Sequence, residues 1–109
     1  MIRHIVAFQL AATSDAERTR DALDFAARLE ALRDVVPGVL DVSVHRDVGL
    51  VASHWPLVLV ADFTSLEALE AYQSHPRHVA VIEWANDGVV TDRAVVDFEV
   101  PADSSSPES

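Results

Sequence analysis

The first third of the chain shows a strand pattern followed by a helix pattern. Residues 2–10 alternate between two faces and are rich in β-branched and aromatic side chains, which predicts a strand. Residues 15–35 predict a helix, capped at its start by Ser14 with Glu17 and ended by Pro37-Gly38. The buried face of the helix would consist of Phe25, Leu29, Leu32 and Val36. One face of the strand would consist of Ile2, His4, Val6, Phe8 and Leu10.

The rest of the chain predicts three more strands and a helix that is broken in two. The strands are expected at Val39–Val48, Leu57–Phe63 and Asp92–Val100, and Leu40, Val42 and Val44 would share one face. Thr64 and Glu67 form a second capping box, which opens a helix to about Gln73. Pro76 suits the first turn of a new helix, to about Ala85, because its missing amide proton is not needed there. Residues 101–109 are polar and rich in Ser, which predicts a disordered acidic tail.

The predicted order, β-α-β-β-α-β, indicates an α+β domain of the ferredoxin-like type over residues 1–100, with both helices on one face of an antiparallel sheet. The strands nevertheless carry apolar residues on both faces, as where Ile5 opposes Val6. An uncovered apolar face would associate, so we expect a homodimer in which two sheets pack face to face and close into a dimeric α/β barrel. A monomer with a half-polar face is the alternative, favoured by Arg3, Asp62, Asp97 and Glu99.

Composition and charge exclude several classes of function. The chain has 109 residues, with 8 Arg, no Lys and 18 acidic residues, which gives a net charge of −10. This balance argues against nucleic acid and against an anionic membrane surface, since both are bound by clustered cations. Without Cys or Lys there is no disulfide, thiolate nucleophile or Schiff base, and no Gly-rich phosphate loop occurs. No apolar run is long enough to span a membrane and no signal-peptide pattern opens the chain, so we expect a soluble, cytoplasmic protein without a cofactor.

The remaining candidates for chemistry are the histidines and the single tyrosine. His75 and His78 flank the predicted helix break, just after Tyr72. If the face of the first strand that carries His4 meets the helices, His4 and His78 would share one half-buried pocket, where a neutral imidazole and a phenol form an acid/base pair. Each imidazole also has a structural interpretation: His75 caps a helix, His78 donates to a backbone carbonyl and His4 is a core residue. A metal site is a third alternative, but no carboxylate is placed to complete it, so no metal is expected.

These segments resemble the stress-responsive dimeric α/β-barrel family, abbreviated Dabb. The resemblance rests on residues 2–8, 61–63, 69–79, with the run Tyr-Gln-Ser-His-Pro-Arg-His, and 93–98. It covers nearly all of residues 1–100 and implies a ferredoxin-like subunit that pairs through its sheet. One characterised branch of the family resembles a plant polyketide cyclase, which closes a linear poly-β-ketone by an intramolecular aldol reaction without a cofactor.

The resemblance also implies roles for individual residues. The acid/base pair of the cyclase corresponds to Tyr72 and His78, and a first-strand histidine that lines its pocket corresponds to His4. His78 would be the base, Tyr72 the proton donor, and His4 would orient the substrate. The substrate-binding wall is expected from Val6, Phe8, Phe25, Leu29, His75, Val79, Ile82 and Trp84. An enzyme or a ligand-binding protein should enclose a cavity of roughly 300 Å³ or more.

Three functions stay open on the sequence. The first is a cyclase-like aldol or lyase reaction on a small carbonyl compound. The second is a non-catalytic stress-responsive or ligand-binding protein, in which the histidines hold the helix break. The third is a cofactor-free monooxygenase of the same fold, which would need an electron-rich aromatic substrate. Trp55-Pro56 stand where the family often has an aromatic residue followed by Asp, so the substrate is not determined.

Overall fold

A computed structural model of the protein describes residues 1–101, so the predicted tail beyond Pro101 lies outside the described residues. The elements, numbered in chain order, are β1 (Ile2–Leu10), α1 (Asp15–Glu30), a 3₁₀ turn (Ala31–Asp34), β2 (Val39–Arg46), β3 (Leu57–Phe63), α2 (Leu66–Ser74), α3 (Pro76–Asn86) and β4 (Val90–Glu99). None of these helices combines the length and the apolar character that crossing a bilayer requires.

The four strands form one antiparallel sheet in the order β2-β3-β1-β4. β1 is central, and β2 and β4 are the edges. The helices follow β1 and β3 and cover one face of the sheet, where alternate residues of these two strands are buried. The ferredoxin-like α+β fold, with its second helix broken before Pro76, is therefore confirmed.

The core lies between the sheet and the helices. The rings of Phe8 and Phe25 meet edge to face, with 4.9 Å between their centroids. Phe63 packs against Tyr72 at the same centroid distance. His4 is the one polar residue buried in the described part of this core, which confirms that its strand face meets the helices.

The first capping signal is confirmed and the second is shifted by one residue. The Oγ of Ser14 accepts a hydrogen bond from the N–H of Glu17 at 3.2 Å. The cap of α2, however, is Ser65 and not Thr64, because the backbone N–H of Thr64 donates to the carbonyl of Gly38 at 3.1 Å and so ties Thr64 to the start of β2.

Three elements also have boundaries that differ from the prediction. α1 is α-helical only to Glu30 and continues as the 3₁₀ turn, short of residue 35. β2 ends at Arg46, and β4 begins at Val90 and ends at Glu99. Leu40 does not share the buried face of β2: the register shifts beside it, two residues then oppose one, and its side chain is 52% exposed.

The second face of the sheet is open in the single chain. Ile5 lies between Val60 and Val96 on the neighbouring strands, and Val96 is 61% exposed. Arg3 and Asp62 form a two-point ion pair on this face, with Nε–Oδ1 at 2.8 Å and Nη2–Oδ2 at 3.1 Å. Polar residues border the apolar centre of the open face. They are this ion pair, whose two charges offset each other, the pair of Gln9 and Asp92 towards the other end of β1, and Ser43 and His45 on the edge strand β2.

Asp97 and Glu99 do not lie on this face, and the prediction that placed them there is wrong. The register pairs Asp97 with His4 and Glu99 with Ile2, and directly paired residues of an antiparallel sheet project to the same side. Both carboxylates thus lie on the helix side. The open face is more apolar than predicted, which weakens the monomer alternative.

Candidate functional site

A cavity of about 150 Å³ lies between the sheet and the broken helix. It is lined by His4, Val6, Phe8, Leu29, Leu59, Tyr72, Gln73, His78, Ile82, Arg93 and Val95. Its volume is about half of the expected roughly 300 Å³, the lower end for ligand pockets. In the single chain, the cavity therefore takes only a small molecule.

Tyr72 lies near the end of α2 with its side chain buried at 1% exposure. Its hydroxyl has no hydrogen-bond partner among the described residues. A buried hydroxyl without a protein partner is uncommon, and this one is available to a ligand in the cavity. Burial also raises the pKa of Tyr72 well above its usual value, so the hydroxyl stays protonated and available as a donor.

The break between α2 and α3 is built by His75 and Pro76. The Nδ1 of His75 accepts from the backbone N–H of Arg77 at 3.1 Å and so caps α3. Pro76 occupies the first turn of α3, as predicted. The structural interpretation of His75 is therefore confirmed, because the Nδ1 of its imidazole is occupied by a hydrogen bond from the backbone.

His78 follows in the first turn of α3 and is held in a defined orientation. Its Nδ1–H donates to the carbonyl of Gln73 at 3.2 Å, which leaves Nε2 without a proton in the neutral ring. Its ring lies against that of Tyr72, with 4.3 Å between the centroids. Burial lowers the pKa of His78 below its ordinary value, against the smaller raising effect of the Gln73 carbonyl. At neutral pH, His78 is thus an unprotonated base beside a protonated phenol.

His4 reaches the cavity from β1 and is oriented by Asp97 of β4. The Nδ1–H of His4 donates to Oδ1 of Asp97, its paired residue across the strands. A carboxylate that accepts a hydrogen bond from Nδ1–H fixes the tautomer of the ring and leaves Nε2 free for another contact. Asp97 was missed in the sequence, and the signal that could have found it is the antiparallel pairing of the first and last strands.

The structure brings together most of the predicted site residues, but not all of them. His4, Val6, Phe8, Leu29, Tyr72, His78 and Ile82 line the cavity. The other four do not. Phe25 is fully buried in the core and Trp84 packs beside it under the guanidinium of Arg28, while Val79 is 40% exposed and His75 caps α3. The reason for Val79 and Trp84 is helical periodicity. One side of α3, with His78 and Ile82, faces the cavity, and Val79 and Trp84 lie on other sides of the helix.

Two larger clefts occur in the described residues, away from the tyrosine–histidine cluster. One, of about 450 Å³, lies at the start of α2 between Leu66 and Phe98. The other, of about 360 Å³, lies beside the β2–β3 loop between Arg18 and Arg46. We place the candidate site in the small cavity because it alone of the three combines a buried, unpartnered hydroxyl with two oriented imidazoles.

Residues 1–101 contain no group of three His, Asp or Glu side chains close enough together to hold a metal ion. In the pair of His4 and Asp97, the Nδ1 of the imidazole is already used in a hydrogen bond to the carboxylate.

The chain matches a family model along nearly its whole length. The model describes the stress responsive A/B barrel domain, Dabb, and its match covers residues 2–100. The chain belongs to this family. The resemblance drawn from the Tyr-x-x-His-Pro-x-His run and the strand segments is thereby confirmed. No curated protein matches the chain.

Solved structures share the Dabb fold. A dimeric protein of unknown function with a ferredoxin-like fold from Bacteroides fragilis is 26% identical, with a TM-score of 0.80 over 91% of this chain and 95% of that one. A dimeric ferredoxin-like protein of unknown function from Thermobifida fusca is 27% identical, with a TM-score of 0.73 over 91% and 90%. An antibiotic biosynthesis monooxygenase is 14% identical, with a TM-score of 0.71 over 93% and 99%; at that identity the likeness shows the fold alone.

Proposed function

We propose that the cavity binds a small carbonyl compound and catalyses a cofactor-free, cyclase-like aldol or lyase reaction, with His78 as base and Tyr72 as proton donor. The observation that carries the proposal is the buried Tyr72 hydroxyl without a partner, beside a half-buried His78 whose Nδ1 is tied to the backbone. Buried hydroxyls without a protein partner are uncommon, and a ligand carbonyl in the cavity would accept a hydrogen bond from this one.

The geometry supports a sequence of proton transfers for the aldol case. Nε2 of His78 takes the proton next to a ligand carbonyl, and the electrons of that C–H bond form an enolate whose oxygen accepts a hydrogen bond from Tyr72. The enolate carbon then forms a C–C bond to a second carbonyl carbon of the same molecule. The oxygen of that carbonyl becomes an alkoxide and takes the proton back from His78, which restores the base. His4, oriented by Asp97, would hold the ligand in place.

The proposal includes a homodimer formed through the open sheet face. That face is apolar at Ile5, Val60 and Val96, and water contact with such a surface is unfavourable. The two ferredoxin-like relatives above are described as dimeric. A second sheet would cover the face of the first and leave the helix side, with the cavity, in each subunit.

A non-catalytic, ligand-binding role is the second candidate function. It is favoured by the backbone hydrogen bonds that occupy one nitrogen each of His75 and His78. The cavity volume of about 150 Å³, below the roughly 300 Å³ expected of an enzyme or a ligand-binding protein, favours the form of this role in which the histidines only hold the helix break. The monooxygenase alternative rests on the shared fold alone.

The first two functions are separated by His78→Ala in the full chain. A thermal-shift screen of small ketones and diketones would identify a ligand, and its conversion would then be followed in the wild type and the variant. We expect wild-type turnover and a loss of about 10²-fold or more in the variant, with the fold intact. The matched control is His45→Ala, an exposed histidine bonded to Ser43 outside the cavity. Binding without turnover in the wild type would support the non-catalytic role instead.

A further inference from the structure

Arg93 stands at one end of the candidate cavity. It lies on β4 opposite Phe8, whereas Asp97, four residues further along the same strand, lies opposite His4. At about 3.3 Å per residue, the two positions are about 13 Å apart along β4. The cavity wall therefore runs from the carboxylate-oriented His4 at one end to a guanidinium at the other.

The guanidinium of Arg93 is not neutralised by the protein. Its Nη2 donates to the side-chain oxygen of Asn86, and within residues 1–101 no carboxylate lies at salt-bridge distance from it. Even the adjacent Asp92 accepts from the backbone N–H of Arg93, at 2.9 Å, and not from its side chain. By contrast, Arg3 and Arg28 are both paired with aspartates. Asn86 thus fixes the direction of a positive charge that stays free to bind an anion.

The surroundings of Arg93 strengthen its attraction for an anion. Arg93 is half-buried, and most of the other residues that line the cavity are apolar, among them Val6, Leu59, Ile82 and Val95. Apolar surface beside a partly exposed charge reduces its hydration, and its interaction with an opposite charge is then stronger than in bulk water. The chain as a whole carries a net charge of −10 and repels anions, so an anionic ligand would be drawn to this point rather than to the surface in general.

Arg93 also acts on the proposed base. Arg93 and His78 line the same cavity, and the positive charge of Arg93 is one of the smaller factors that lower the pKa of His78. The other groups that face His78 are Tyr72 of α2, His4 of β1 and His75 at the helix break.

We propose that Arg93 binds a carboxylate of the ligand, so that the cavity selects a carbonyl compound that also carries a carboxylate, such as a diketo acid. A carboxylate matches the single charge and the planar N–H pattern of one guanidinium. This inference rests on the proposed function of the same cavity, and it adds the substrate class.

The test compares acetoacetate with its neutral methyl ester as ligands of the full-length protein. Binding is followed by the NMR shift of the His78 imidazole, which needs no turnover. The variants are Arg93→Gln and the matched control Arg46→Gln. A third variant, Arg93→Lys, keeps the positive charge and serves as a second test if Arg93→Gln does not fold. Arg46 is likewise a strand arginine without a carboxylate partner in the described residues, but it lies outside this cavity.

We expect the wild type and Arg46→Gln to bind acetoacetate more tightly than the ester. Arg93→Gln should lose about tenfold or more in affinity for the acid and keep its affinity for the ester, and Arg93→Lys should retain part of the preference. Equal binding of the acid and the ester by the wild type, or an unchanged preference in Arg93→Gln, would overturn the role of Arg93 and leave the carbonyl site standing. If neither ligand shifts His78 in the folded wild type, the proposed function fails together with this inference.

Discussion

The imidazole of His78 lies against the phenol ring of Tyr72, with 4.3 Å between the ring centroids and 48° between the ring planes. The contact depends on the helix break between them. In one continuous helix, residues six apart would point in directions about 120° apart. The break at His75-Pro76 starts α3 in a new direction and brings His78 back over Tyr72.

Tyr72→Phe should remove function without a loss of stability. The hydroxyl is buried without a partner, so its removal should leave the free energy of unfolding unchanged or raise it by at most about 3 kcal/mol. Turnover or ligand affinity should fall in the same variant. Urea unfolding measures the first effect, and Ser65→Ala is the control, since it removes a hydroxyl that has a partner and should destabilise by about 0.5–2 kcal/mol. A large loss of stability in Tyr72→Phe would mean that the hydroxyl is bonded in solution.

The low pKa of His78 should appear in the pH dependence of stability. Burial lowers this pKa below its ordinary value of 6.5, so the unfolded chain takes up a proton more readily than the folded one. Stability should be unaffected by this group above pH 6.5 and should fall as the pH drops from 6.5 through the pKa of the folded state.

The measurement is urea unfolding from pH 8 to pH 5 for the wild type and His78→Gln, with NMR titration of the ring. The groups that face His78, namely His4, His75, Tyr72 and Arg93, are unchanged in the variant, so the difference in slope reports His78. An identical slope in both proteins would contradict the prediction.

Val96→Glu should separate the proposed dimer. A carboxylate at Val96, next to the central strand on the open sheet face, would lose its water in the sheet-to-sheet contact. Light scattering should report about 24 kDa for the wild type, twice the chain mass of 11.9 kDa, and a single chain for the variant. Leu23→Glu is the matched control, because Leu23 and Val96 are both 61% exposed but Leu23 lies on α1. A wild type that stays at the mass of one chain would refute the dimer.

His75→Ala should destabilise the fold through α3. Loss of the acceptor for the Arg77 N–H should cost about 0.5–2 kcal/mol in urea unfolding, whereas His75→Asn should recover most of it because asparagine is a good helix cap. His45→Ala, an exposed strand histidine, should change stability by less than about 0.5 kcal/mol. Equal stability of His75→Ala and the wild type would show that water satisfies the end of α3 equally well.

The sequence located much of the fold and most of the candidate site. Pro76 starts a helix and His75 caps it for reasons that involve only neighbouring residues, so both could be predicted. The start of α2 could not be fixed between Thr64 and Ser65, because the choice depends on the hydrogen bond from Thr64 to Gly38, which is distant in sequence. Leu40 was misplaced for a similar reason: a bulge is set by the partner strand.

By itself, the sequence determined the order of strands and helices, the break that carries Tyr72 and His78, and the membership of the chain in the Dabb family, because periodicity, capping and a short motif are encoded within a few residues. Only the tertiary structure decided the size of the cavity, the orientation of His4 by Asp97, which lies 93 residues away, and the placement of Arg93 at its far end. These depend on the register between the first and last strands, and register is fixed by the packing of the whole sheet against its helices.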